Sequence, residues 1–78
     1  MQHYEPHEVK LANEMAETLK DRDSLALFLH YTRKYKESLL RNILAKVMAL
    51  DDSKIRKSRG ALFTFLVNQN GAHSNYRS

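Results

Sequence analysis

Apolar side chains recur along most of this chain at three- and four-residue steps, the spacing that gathers one face of an α-helix. Val9, Ala12, Met15, Ala16 and Leu19 form the first such series, and Leu11 widens it. Glu14 and Glu17 fall on the other side. Pro6 suits the first turn of a helix, where its missing N–H is no loss, and Glu8 favours the positive end of the helix dipole. The spacing predicts a first helix over about residues 6–20. Lys20-Asp21-Arg22-Asp23 breaks it, with Asp23 or Ser24 in place to cap the next helix.

Leu25 to Leu29 is apolar without interruption, and Tyr31 and Tyr35 extend the series. Five apolar residues in a row also suit a buried strand, but His30-Tyr31-Thr32-Arg33-Lys34 does not alternate. A short central helix over about 24–34 is the better reading. Leu39, Leu40, Ile43, Leu44, Val47 and Leu50 make the strongest stripe, opposite Arg41, Asn42 and Lys46, and predict a helix over about 37–50. Asp51-Asp52-Ser53 ends it and caps the next segment. A fourth helix is expected over about 58–69, with Ser58 as N-cap and Asn70-Gly71 as its stop. Of Phe63 and Phe65, two residues apart, only one can face the core; Phe63 is the better candidate. The predicted class is all-α: a compact bundle of about four short helices in one domain over 1–71, then a flexible, disordered tail over 72–78.

Composition narrows the use of such a bundle. The chain has 78 residues, two Gly, one Pro, and neither Cys nor Trp. No disulfide and no Cys-ligated metal site can form, so helix packing must supply the stability. That small core leaves room for a second copy or a protein partner. No run is long and apolar enough for a membrane span, and the first residues lack the basic and apolar regions of a secretory signal. The expected setting is cytoplasmic. His3 and His7 stand four apart but lack a third ligand at a supporting spacing, so no metal site is expected. His30 is expected at the edge of the core. No phosphate-cradling glycine loop, no nucleophile beside a His and no paired carboxylates in an apolar setting occur. The sequence therefore points away from an enzyme, a cofactor and a small-molecule substrate.

Charge changes the picture most. The formal net charge is +4. Residues 1–24 hold three basic against six acidic side chains, whereas residues 25–60 hold nine against three. The balance is thus −3 on the first stretch and +6 on the second. Two clusters carry the excess: Arg33, Lys34 and Lys36 around Tyr35, and Lys54, Arg56, Lys57 and Arg59 around Ser58. The second precedes a predicted helix N-terminus, where unpaired N–H groups and the dipole favour an anion. Gly60 would let a backbone come close. Cations at that end are unfavourable for the helix itself, as if an anion were meant to sit among them. Tyr31, Tyr35, Phe63 and Phe65 are candidates for stacking on the bases of a single strand, and Tyr35 is the best of them because it lies inside a basic cluster. The expectation is a nucleic-acid-binding module, DNA favoured over RNA, working through phosphates. The alternative is a protein-interaction or homodimerisation module.

Leu40-Arg41-Asn42-Ile43-Leu44-Ala45-Lys46-Val47 is similar to the I-x-x-I-L-x-x-W portion of the helical motif in DnaD-like replication-initiation proteins, with Val47 at the Trp position. Ile55 to Phe63 resembles the basic loop-to-helix segment next to that motif in related plasmid and phage initiators. The resemblance implies DNA binding and contacts with replication partners, with the segment from Arg56 to Arg59 as contact surface.

Overall fold

The first helix, α1, spans Pro6–Leu19, with Pro6 at its first position as expected. The Glu5 N–H donates to Glu8 Oε1 at 2.8 Å, which satisfies the backbone where the helix begins. It ends on Lys20, in the left-handed region at φ 55°, and the Asp21 N–H donates back to the Ala16 carbonyl at 2.8 Å. A short 3-10 turn, Arg22–Ser24, then leads into α2 (Leu25–Lys34). No side chain caps α2, contrary to the expectation for Asp23 or Ser24. The 3-10 turn does this work: the Ser24 N–H bonds the Asp21 carbonyl and the Leu25 N–H bonds that of Arg22. Helix α3 spans Glu37–Ala49, a second 3-10 turn spans Asp52–Lys54, and α4 spans Arg59–Arg77.

This computed structural model describes residues 3–77, and the side chains of residues 3–70. The predicted all-α class holds: four helices, and no strand among the described residues. Helix α4 starts where Ser58 places it, but it runs past the expected stop at Asn70-Gly71. Gly71 is costly in a helix interior but does not prevent one. The expected flexible tail at 72–78 falls on side chains, and on a last residue, outside the described ones.

Helix α1 packs chiefly on α2, and α3 on α4, and the two pairs share one core. From α1 come Leu11, Ala12, Met15, Ala16 and Leu19, from α2 Phe28 and Tyr31, from α3 Leu40, Ile43 and Val47, and from α4 Phe63 and Val67. The Phe28 and Phe63 rings meet edge-to-face at 5.7 Å, an arrangement favoured by the ring quadrupoles. Tyr31 reaches the core's edge, where its hydroxyl donates to Asn68 Oδ1 at 3.4 Å; burial pushes its pKa up, so it stays a donor at neutral pH.

Four expectations about packing need correction. Val9 is exposed, and Leu11 takes its place on the core face of α1. Helix α2 is not buried all round: Leu27 keeps 37 % of its surface, and Leu25 and Leu29 are half-buried. A domain this small buries a limited share of its surface, and part of α2 is left to face water. Leu50 lies just past the end of α3 and turns outward. His30 is exposed, not at a core edge.

Candidate nucleic-acid interface

The two basic clusters meet different fates. Arg33 ends α2 beside the start of α1, where its guanidinium donates to the His3 carbonyl and to Glu8 Oε1 at 3.2 Å. It also lies 4.7 Å over the Tyr4 ring, a cation–π contact. The Lys34 ammonium is 5.5 Å from the Tyr35 ring centroid. Tyr35, the leading sequence candidate for stacking, is half-buried and packs edge-on against Tyr31 at 5.7 Å. Lys36 is the exposed N-cap of α3. Lys34, Tyr35 and Lys36 line one shallow hollow with Leu39.

Arg59 is tied down from the other side. Nη1 donates to the Val47 carbonyl at 2.6 Å, and Nη2 to the Leu50 carbonyl at 3.0 Å and to Asp52 Oδ1 at 2.6 Å. These carbonyls end α3, so Arg59 closes the C-terminus of one helix from the first position of the next. Only 20 % of its side chain is exposed.

The N-terminus of α4 is furnished from within the chain. Ser58 caps it as expected, its Oγ accepting the Ala61 N–H at 3.0 Å. Gly60 is buried, and its close approach is to a neighbouring loop, not to a ligand. A Cβ built there would stand 3.1 Å from both Cβ and Cγ of Asp21. The Asp21 carboxyl group therefore lies against the first turn of α4. An acidic side chain of the chain itself thus stands at the positive end of this helix.

Lys54, Arg56 and Lys57 remain. All three are exposed, and among the described residues none has a carboxylate within ion-pair distance. With Ser58, Ala61, Leu62 and Phe65 they line an open groove of about 530 Å3. Its lining holds no acidic residue. Phe65 keeps 60 % of its surface exposed, while Phe63 and Val67 anchor the opposite face of α4 in the core. The sequence placed Phe63 correctly and counted Phe65 among the stacking candidates, but ranked Tyr35 above it. The signal for Phe65 was present: a second aromatic two residues from a core aromatic, one turn of helix beyond a basic run.

The acidic α1 engages Arg33 through Glu8 and Arg41 through Glu14. Arg41 bridges Glu37 at 2.6 Å and Glu14 at 3.0 Å, joining α3 to α1. The Glu14 carboxyl is held below its ordinary pKa chiefly by the hydrogen bond from Arg41, and Arg41 is held above its own by both carboxylates. A second groove, of about 430 Å3, runs past His7, Lys10, Glu14, Glu37 and Arg41, and its charges are mixed. Among the described residues no group of three or more His, Asp or Glu side chains is arranged to hold a metal ion. None of their helices is long and apolar enough to cross a membrane.

No protein-family model matches the chain, and no curated protein or solved structure proved similar to it. The residues of α3 that carry the likeness to the DnaD-type motif are its packing face. Leu40, Ile43 and Val47 are buried and Leu44 is half-buried.

Proposed function

We propose that this protein binds nucleic acid, DNA before RNA, through the groove between the second 3-10 turn and α4. The observation that carries the reading is Lys54, Arg56 and Lys57 on one groove without a carboxylate partner among the described residues, in a molecule whose arginines at 33, 41 and 59 each have one. Lys34 and Lys36 are likewise exposed and without a carboxylate partner among the described residues, but they share their hollow with a half-buried tyrosine; Lys54, Arg56 and Lys57 are free to neutralise phosphates. Such contacts fix position and supply affinity but carry no base sequence information. The likeness to replication initiators makes replication, or another DNA transaction, the setting to test. A reducing cytoplasmic location belongs to the same proposal and fits a chain without cysteine.

The test is a salt titration against a labelled duplex. The affinity falls by about 0.9 log units per log unit of salt for each phosphate neutralised, a slope near −2.7 for three contacts. No binding at low salt, or binding indifferent to salt, rules the reading out.

The second reading, a module that docks a protein or a second copy without touching nucleic acid, is favoured by Phe65, because large exposed apolar groups are typical of contact surfaces. Light scattering on the eluting peak separates the two: a monomer with salt-sensitive DNA binding supports the first, and an oligomer that ignores DNA supports the second.

A further inference from the structure

The groove pairs its cations with an aromatic ring. We infer that its occupant is a single strand, with one unpaired base stacked on Phe65 and the neighbouring phosphates on Lys54, Arg56 and Lys57; this rests on the phosphate-binding function proposed above.

Three features point the same way. Phe65 is the most exposed of the large apolar side chains among the described residues. It cannot turn inward, because Phe63 and Val67 fix the rotation of α4 by filling the core from the other side. Apolar Ala61 and Leu62 line the groove with it, and Lys54, Arg56 and Lys57 line the same groove. A flat apolar ring next to unpaired positive charge complements a flat apolar face joined to a negative one. That is the shape of a nucleotide: every base has a π-face, and each is linked to a phosphate.

The duplex is the poorer match. Its base faces are covered by their neighbours in the stack, and a ring on the outside of a helix meets sugar and phosphate, where it gains little. Only an unpaired base offers its face. An acidic peptide matches the charge but offers the ring a flat face only where it carries an aromatic side chain. The groove volume, about 530 Å3, lies in the range of sites that hold small ligands. Cation and ring belong to adjacent segments held at a fixed spacing by Arg59, whose bonds to the end of α3 and to Asp52 secure the start of α4.

The experiment compares a fluorescein-labelled oligothymidylate with a labelled duplex of equal length, at one salt concentration, by fluorescence anisotropy. Wild-type protein is expected to bind the single strand more tightly. Phe65→Ala should weaken that binding roughly 5- to 150-fold, the worth of one stacked base, and leave duplex binding unchanged. Phe65→Trp should retain it. The doubly reversed variant Arg56→Glu with Lys57→Glu should weaken both. These side chains are exposed, and unchanged thermal melting verifies that each variant is folded. If Phe65→Ala leaves the single strand unaffected while the charge reversal weakens both ligands, stacking is overturned and phosphate binding stands. If neither DNA binds at low salt, the underlying function falls and this inference with it. If polyglutamate of matched charge competes as well as the oligothymidylate and is equally sensitive to Phe65→Ala, the occupant is an acidic protein and the inference is overturned.

Discussion

The segments Arg33–Lys36 and Lys54–Arg59 look alike as strings of cations around one polar side chain, and in each one arginine serves the fold, yet the cations left over stand beside half-buried Tyr35 in the first and beside exposed Phe65 in the second. In the first, Arg33 grips the start of α1 through His3, Tyr4 and Glu8, and the aromatic residue of the run packs onto Tyr31. In the second, one arginine serves the fold, and three cations face solvent along a groove with an exposed phenylalanine. The difference arises from the neighbours of each run. The first lies beside an acidic helix and a chain terminus that supply acceptors. The second lies beside the end of α3, whose carbonyls need one donor, and Arg59 is enough. Arginine suits such ties because its planar fork reaches several acceptors at once. Arg33 and Arg59 are thus drawn into the structure, whereas Arg56 and the lysines are left outside.

The strongest way to break this comparison is to remove the arginine that serves the fold in the second run. Arg59→Ala leaves two carbonyls and Asp52 without their donor, and should cost about 2–3 kcal/mol, the usual penalty for partly buried charged hydrogen bonds. Urea unfolding measures it. A loss below the usual scatter of surface substitutions would mean that Arg59 is held loosely and is available to phosphate after all.

The next test lies one residue on. Gly60→Ala improves intrinsic helix propensity, yet its new methyl group would collide with Asp21, and the collision should win. A net loss of about 1–2 kcal/mol is expected, since overpacking typically costs 1–3. If the variant is instead stabilised, Asp21 moves aside freely, and the end of α4 is open to an outside anion. That outcome would restore the helix N-terminus as a phosphate site and enlarge the proposed interface.

Helix placement was legible in the sequence because it depends on local periodicity and capping. Ser58 as cap, Pro6 at the first position and Phe63 in the core all follow from spacing. Which cation is engaged was not legible, because it depends on pairing across the fold. Nothing near Arg59 in sequence marks the carbonyls of Val47 and Leu50 as its acceptors. Nothing near Arg33 marks Glu8, 25 positions earlier. The packing of Tyr35 was not legible for the same reason. Its neighbours in sequence are charged, but its neighbour in space is Tyr31. The end of α4 was misplaced because a glycine after asparagine is a common stop and not an obligatory one.

A smaller effect is expected from the arginine of the first run. Arg33→Ala removes an exposed ion pair and a cation–π contact, together worth about 0.5–1 kcal/mol. Urea unfolding at low and high salt verifies it, with the difference from wild type shrinking as salt screens the pair. Its effect on DNA affinity should be slight. A large loss of affinity from Arg33→Ala would make the first run a second contact surface and erase the contrast between the two.

The smallest effect concerns pH, and its sign separates the two runs again. The Glu8 carboxyl is held below its ordinary value, near 4.5, chiefly by the Glu5 N–H and further by Arg33. A carboxyl with a lowered pKa in the folded state contributes stability that is complete above the unfolded value and is lost as pH falls through the folded one. Glu14, held down by Arg41, adds to the same trend. The melting temperature should therefore hold steady at neutral pH and decline below about pH 4.5, and Glu8→Gln should make that decline shallower. The lysines of the second run pair with no carboxylate among the described residues, so Lys54→Gln and Lys57→Gln should leave the shape of the acid limb unchanged. If these lysine variants reshape it instead, the groove cations have carboxylate partners in solution and are not reserved for a ligand.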